Sequence, residues 1–98
     1  MPSTGPTRTA SDADRPRLAT GVRLAFDQAR ERHVLLAPER ISVLNGTGAA
    51  IVDLCDGQRT VAEIVAELHG RYAHVAGDDV RFFIAQLAAK RLVEVSHA

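Results

Sequence analysis

Residues 54–64 read Leu-Cys-Asp-Gly-Gln-Arg-Thr-Val-Ala-Glu-Ile and place a helix end, a turn and a capped helix start within one short stretch. Gly57 has no Cβ and adopts without steric cost the positive φ that closes a helix. Thr60 and Glu63 have the Thr-x-x-Glu spacing of a capping box, in which hydroxyl and carboxylate each satisfy a backbone N–H that would otherwise lack a partner. Two helices therefore meet at a fixed corner, and the rest of the chain has to be arranged about it. The first is expected over 47–56, entered through Asn45, with Ala50, Ile51, Leu54 and Cys55 spaced as one apolar stripe. The second follows Thr60 and buries Val61, Ile64, Val65, Leu68 and Tyr72, while Gly70 weakens its last turn.

Upstream of the corner the period of the apolar residues changes to that of strands. Leu18, Val22, Leu24 and Phe26 occupy even positions with Arg17, Arg23 and Asp27 on odd ones, which predicts one half-buried strand over 18–26. A polar link over 27–32 leads into His33-Val34-Leu35-Leu36-Ala37, a run too short for an independent helix and stopped by Pro38. Pro38-Glu39-Arg40 turns the chain into Ile41-Ser42-Val43-Leu44, where Ile41 and Val43 share a face. Two tight connections make an antiparallel meander whose third strand lies on an edge, and the unpaired N–H and C=O groups of an edge are a template for another strand. Arg40 is the one charged guard of that edge, unless it is simply a solvated surface residue.

Downstream, 73–77 reads as a loop, Asp78 or Asp79 as the cap of a third helix running to about Arg91, and 92–95 as a short closing strand or an extended tail. The fold class is α+β and winged-helix-like: a three-stranded antiparallel sheet followed by three helices. Helix three has two apolar faces. Val80, Phe83, Ile84 and Leu87 make an ordinary core stripe, while Phe82, Ala85 and Ala89 gather on the opposite side, where a small domain should show polar residues. Either the helix is buried twice, or this face and strand three border a groove that takes a partner's apolar side chains.

At 98 residues the chain supports one modest core and no deep catalytic cleft. Residues 1–14, rich in Pro, Ser, Thr, Gly and Asp, are expected to be a mobile tail before a folded domain over 15–98. Twelve basic residues balance twelve acidic ones, so no global field draws the chain to nucleic acid or to an anionic membrane. The single cysteine, Cys55, excludes an internal disulfide and suits a reducing cytoplasm, where such a thiol is a small buried apolar group. No apolar run approaches the roughly 20 residues that span a bilayer, so a cytoplasmic protein is expected.

Catalytic chemistry finds no support. His33, His69, His74 and His97 are dispersed, and His69 and His74 lack the same-face spacing of a metal pair. Ser3, Ser11, Ser42 and Ser96 sit in no nucleophile motif, Asp78-Asp79 is explained by helix capping, and Gly46 and Gly48 lack the spacing and lysine of a phosphate loop.

Several segments together carry a family resemblance: Arg15-Pro16-Arg17-Leu18, Gly21-Val22-Arg23-Leu24 with Phe26-Asp27, Val34-Leu35-Leu36-Ala37-Pro38-Glu39, Leu44-Asn45, and Leu54-Cys55-Asp56-Gly57 with Thr60-Val61-Ala62-Glu63-Ile64. In order and spacing, from Arg15 to about Val95, they resemble the PqqD family of pyrroloquinoline quinone (PQQ) biosynthesis. Gly46 and Gly48 depart from it, standing where better helix formers are expected. The resemblance implies a non-enzymatic peptide chaperone, a RiPP recognition element. It would bind the precursor peptide PqqA and hand it to the radical S-adenosylmethionine enzyme PqqE, which cross-links a glutamate and a tyrosine within that peptide. The iron–sulfur clusters belong to that enzyme, so no cofactor is expected here. The resemblance also implies that the leader adds as a strand beside strand three and packs on helix three. The expected site is therefore Arg40, Ile41, Ser42, Val43 and Leu44 with Phe82, Ala85, Gln86 and Ala89.

Two other readings compete. A winged-helix nucleic-acid-binding protein would set one helix in a major groove, but helix three opens with Asp78 and Asp79 and, beyond Arg81, has basic residues only at Lys90 and Arg91. An enzyme would need a metal or a perturbed acid–base pair, and the sequence supplies neither pattern.

Overall fold

The computed structural model describes residues 11–72 and 74–96, so Ser3, His97 and most of the expected tail lie outside the described residues. The elements are β1 (Arg15–Leu18), β2 (Arg23–Asp27), β3 (Arg32–Ala37), β4 (Arg40–Leu44), α1 (Gly46–Leu54), α2 (Val61–Arg71), α3 (Gly77–Ala89) and β5 (Val93–Ser96). β2, β3 and β4 form the expected antiparallel meander in that order, while β1 pairs with β5 in a separate two-stranded sheet.

The single strand expected over 18–26 is thus two strands in different sheets. Gly21, at φ 84°, breaks it. The Ala19 N–H donates to the Leu92 carbonyl and the Val22 N–H to the Ala19 carbonyl, which turns the chain from one sheet into the next. Apolar alternation continues in phase across this turn, so periodicity alone does not reveal it. Of the two possibilities for the C-terminus, the closing strand is the one formed: β5 pairs antiparallel with β1 from Arg15 opposite Ser96 to Leu18 opposite Val93.

The capping box forms as expected, but α1 ends at Leu54 with Cys55 as its C-cap, so Gly57 shapes the turn after the helix and does not close it. The Thr60 N–H donates to Glu63 Oε1 at 2.8 Å and the Glu63 N–H to Thr60 Oγ1 at 3.2 Å, completing the capping box. The backbone donor at Thr60 holds the Glu63 carboxyl below its usual range. Two further N–H groups of the first turn of α2, those of Val61 and Ala62, donate to the carbonyls of Asp14 and Asp12. Asp12 also accepts from Arg81 Nε at 2.6 Å, and Asp14 is buried, so the packed body begins before the expected boundary at residue 15. Gly57 has φ 80°, donates its N–H to the Pro16 carbonyl, and lies where a Cβ would come within 3.3 Å of Arg17 Cβ.

α1 begins with Asn45 Oδ1 accepting from the Gly48 N–H at 2.6 Å. Gly48 has a packing reason for departing from a good helix former: a Cβ there would stand 3.1 Å from Asn45 Oδ1 and 3.3 Å from Phe83 Cζ. α3 corrects the sequence reading at its start. Its N-cap is Ala76, which makes no side-chain cap bond, and Asp78 and Asp79 lie inside the first turn. There they complement the helix dipole instead of capping.

The core has two lobes. Ile51, Leu54, Val61, Ile64, Leu68, Val80 and Ile84 join the helices, while Leu35, Leu44, Ala49, Val52, Leu87, Leu92 and Val93 join β3 and β4 to α1 and the end of α3. Phe83 packs against both. Cys55 is buried, donates its thiol to the Ile51 carbonyl at 3.3 Å, and has its pKa pushed up to about 12 by burial, as an apolar filler should.

Gly57→Ala tests the corner. An added Cβ has to enter a left-handed backbone and press on Arg17, so the variant should lose about 1 kcal/mol or more of stability by urea denaturation while keeping its fold.

Candidate functional site

β4 ends the three-stranded sheet, and its register with β3 decides which of its groups are available. Ala37 stands opposite Arg40 across the two-residue turn, followed by Leu36 opposite Ile41, Leu35 opposite Ser42, Val34 opposite Val43 and His33 opposite Leu44. The pair that closes a two-residue turn exchanges both backbone bonds, and such pairs then alternate along an antiparallel ladder. Arg40, Ser42 and Leu44 therefore point their N–H and C=O groups into the ladder, whereas Ile41 and Val43 point theirs away from it. No other backbone bond among the described residues engages the outer side of Ile41 or Val43.

Side chains alternate in the same step. Leu44 is in the core and Ser42 shares its face, while Ile41 and Val43 stand on the opposite face, 55% and 50% exposed. Arg40 is not free: its Nη2 donates to the Lys90 carbonyl at 2.7 Å, tying the start of β4 to the end of α3. At the other end of β4, Phe83 Cζ and Leu44 Cβ both flank Gly48. The helix therefore runs beside the strand in the opposite direction.

At about 100° per residue, Phe83, Gln86 and Lys90 form the row of α3 nearest β4. Gln86 within that row and Phe82 beside it are exposed, with Phe82 at 44%. The alternative of a doubly buried α3 is excluded by that exposure. Ala89, also exposed, lies beside Phe82 on the outer surface of α3. Ala85, half-buried, falls about 60° round the helix from Phe82 and about 160° from Phe83, so it lies farther from the Phe83 row than Phe82 does. Two residues missing from the expected set do border the strand. Phe83 has the spacing of a core residue and is one, yet its ring edge also lines a cleft of about 160 Å³ with Gly48, Ile51, Val75 and Val80. Lys90 contributes its carbonyl, which no side-chain pattern reveals.

Arg40, Lys90 and Arg91 gather with Glu39 where the start of β4 meets the end of α3. Arg81, the cation in the middle of α3, is held by Asp12 at 2.6 Å and Asp78 at 3.2 Å and is not presented to a phosphate backbone. A larger polar hollow of about 470 Å³ lies elsewhere, around Arg15, Arg17, Gly57 and Glu94, and its floor carries the Arg17–Glu94 ion pair at 2.8 Å. Among the described residues no three His, Cys, Asp or Glu side chains converge as metal ligands. His69 instead donates from Nε2 to the Val75 carbonyl at 2.8 Å, fixing the loop before α3.

Strand edge and flanking helix together define a compact α+β module with one open β-edge beside α3. The family model described as Coenzyme PQQ synthesis protein D (PqqD) matches residues 32–93. The chain belongs to the PqqD family. It is 38% identical over 80 residues to the PqqA binding protein of Rahnella aquatilis, covering 80% of this chain and 84% of that one. With the PqqA binding protein of Klebsiella pneumoniae (strain 342) it shares 45% over 73 residues, 72% of this chain and 78% of the relative. The bifunctional coenzyme PQQ synthesis protein C/D of Methylorubrum extorquens is 42% identical over 87 residues, 86% of this chain but only 23% of that longer protein. Among solved structures, the PqqD truncation of Methylobacterium extorquens PqqCD, a stand-alone RiPP recognition element, superposes with TM-score 0.70 at 41% identity. That match covers 91% of this chain and 97% of the other.

Phe82→Glu tests whether this face of α3 is free. An exposed ring should be replaceable with a stability change of about 0.5 kcal/mol or less and an unchanged circular dichroism spectrum. Unfolding would mean that the ring is structural.

Proposed function

We propose that this chain is a non-catalytic peptide chaperone of PQQ biosynthesis that binds the precursor peptide PqqA by strand addition along β4 and presents it to the radical S-adenosylmethionine enzyme PqqE in the cytoplasm. The observation that carries the reading is the outward pointing of the Ile41 and Val43 backbone groups beside an exposed α3 face. Relatives of similar length named as PqqA binding proteins support the choice of peptide.

Strand addition supplies register first. Ile41 and Val43 offer about four hydrogen bonds, and at about 1 kcal/mol net for each these give about 4 kcal/mol, the millimolar range. A peptide that is disordered when free also loses entropy on docking. Backbone pairing alone therefore holds it weakly, and apolar burial against Phe82, Phe83 and the aliphatic part of Gln86 has to supply the rest. Arg40, Ser42 and Leu44 keep β4 attached to β3, Ala89 extends the surface beyond Phe82, and Ala85 is left outside the binding face. The resulting moderate affinity suits a carrier that releases its cargo to an enzyme.

Val43→Pro is the direct test. Its N–H points outward, so proline removes a donor from the guest without breaking the β3–β4 ladder. Calorimetric titration with PqqA peptide should show at least about a tenfold loss of affinity with the fold retained. Binding at wild-type strength would contradict docking at this edge.

A further inference from the structure

We propose that the peptide is read on both of its faces, with Ile41 and Val43 selecting apolar side chains on the row turned away from α3. This rests on the strand-addition reading and names the class of peptide accepted: an extended segment apolar on both faces, not an amphipathic one.

Parity along the strand decides which side chains meet. A guest residue that exchanges both backbone bonds with Ile41 or Val43 stands directly opposite it, and directly opposite residues share a face of the sheet. The two β4 residues that set register are thus also the two whose side chains lie on the face away from the core. Each guest residue that docks on them must lay its own side chain beside Ile41 or Val43. The guest residue between, opposite Ser42, turns to the α3 side, where the small serine leaves space.

The outer row is apolar on β3 and β4, and on β2 it meets Ala25 at the Val43 level and Arg23 at the Ile41 level. Val43 stands opposite Val34, which stands opposite Ala25, and Ile41 stands opposite Leu36. Val34 is 2% exposed, whereas Ile41 is 55% and Val43 50% exposed, so the row is sealed at its centre and open at the β4 end. Exposed β-branched side chains on a free edge invite pairing unless a charge guards them. The expected guard, Arg40, is drawn off to the Lys90 carbonyl. Apolar side chains of the guest would complete the row, and a charged or glycine residue opposite Ile41 or Val43 would be disfavoured.

Ile41→Thr and Val43→Thr separate this row from the backbone edge, because both keep β-branching, the N–H and the C=O. Titrating the full-length variants with PqqA peptide, each should bind about fivefold more weakly and the double variant about twentyfold, with unchanged circular dichroism. Replacing by serine the peptide residues that NMR places opposite Ile41 and Val43 should weaken binding to the wild type and have less effect on the double variant. Wild-type affinity in the threonine variants, with binding lost in Val43→Pro, would leave strand addition standing and overturn outer-row selection. Undiminished binding in Val43→Pro as well would overturn strand addition itself. Unchanged peptide affinity with altered sedimentation would assign the row to contact between copies and also overturn the proposal.

Discussion

The alternation of the β3–β4 ladder is the constraint from which the rest of this account follows. A two-residue turn at Pro38-Glu39 fixes that Ala37 and Arg40 exchange bonds, and the alternation then leaves Ile41 and Val43 with outward backbone groups. Shifting the register by one residue would move Leu44 out of the core and turn Ile41 and Val43 inward, so the hydrophobic pattern and the turn enforce the same pairing. Leu44 buried beside Leu35, Ala49 and Val52 locks it.

α3 gives the open edge its second wall. The helix is held by Val80, Ile84 and Leu87 in the core, by Arg81 on Asp12 and Asp78, and by the Arg40 bond to Lys90. With those contacts made, Phe82 and Gln86 remain exposed while Phe83 faces the end of β4. A strand fixed in register and a helix anchored in the core hold their exposed stripes in place beside each other, and such preorganisation limits the entropy lost on docking.

Much of this was legible locally. The capping box at Thr60 and Glu63, the Asn45 entry to α1, the meander and its exposed edge, and the solvent-facing Phe82 all follow from residues close in sequence. The parts that were not legible depend on distant partners. β1 exists as a separate strand because β5 pairs with it across nearly the whole chain, and only Gly21 hinted at the break. Asp12 and Asp14 join the body because α2 has free N–H groups to donate to their carbonyls, which composition could not show. α3 begins at Gly77 without a side-chain cap, so its Asp pair marks the dipole and not the boundary.

Amide hydrogen exchange resolved by residue, with and without PqqA peptide, tests the central claim most directly. Protection should rise at Ile41 and Val43, whose N–H groups gain partners, and stay nearly unchanged at Ser42 and Leu44, whose N–H groups already have them. Protection that rises instead along β2, the opposite edge of the same sheet, or at neither edge, would contradict docking on β4.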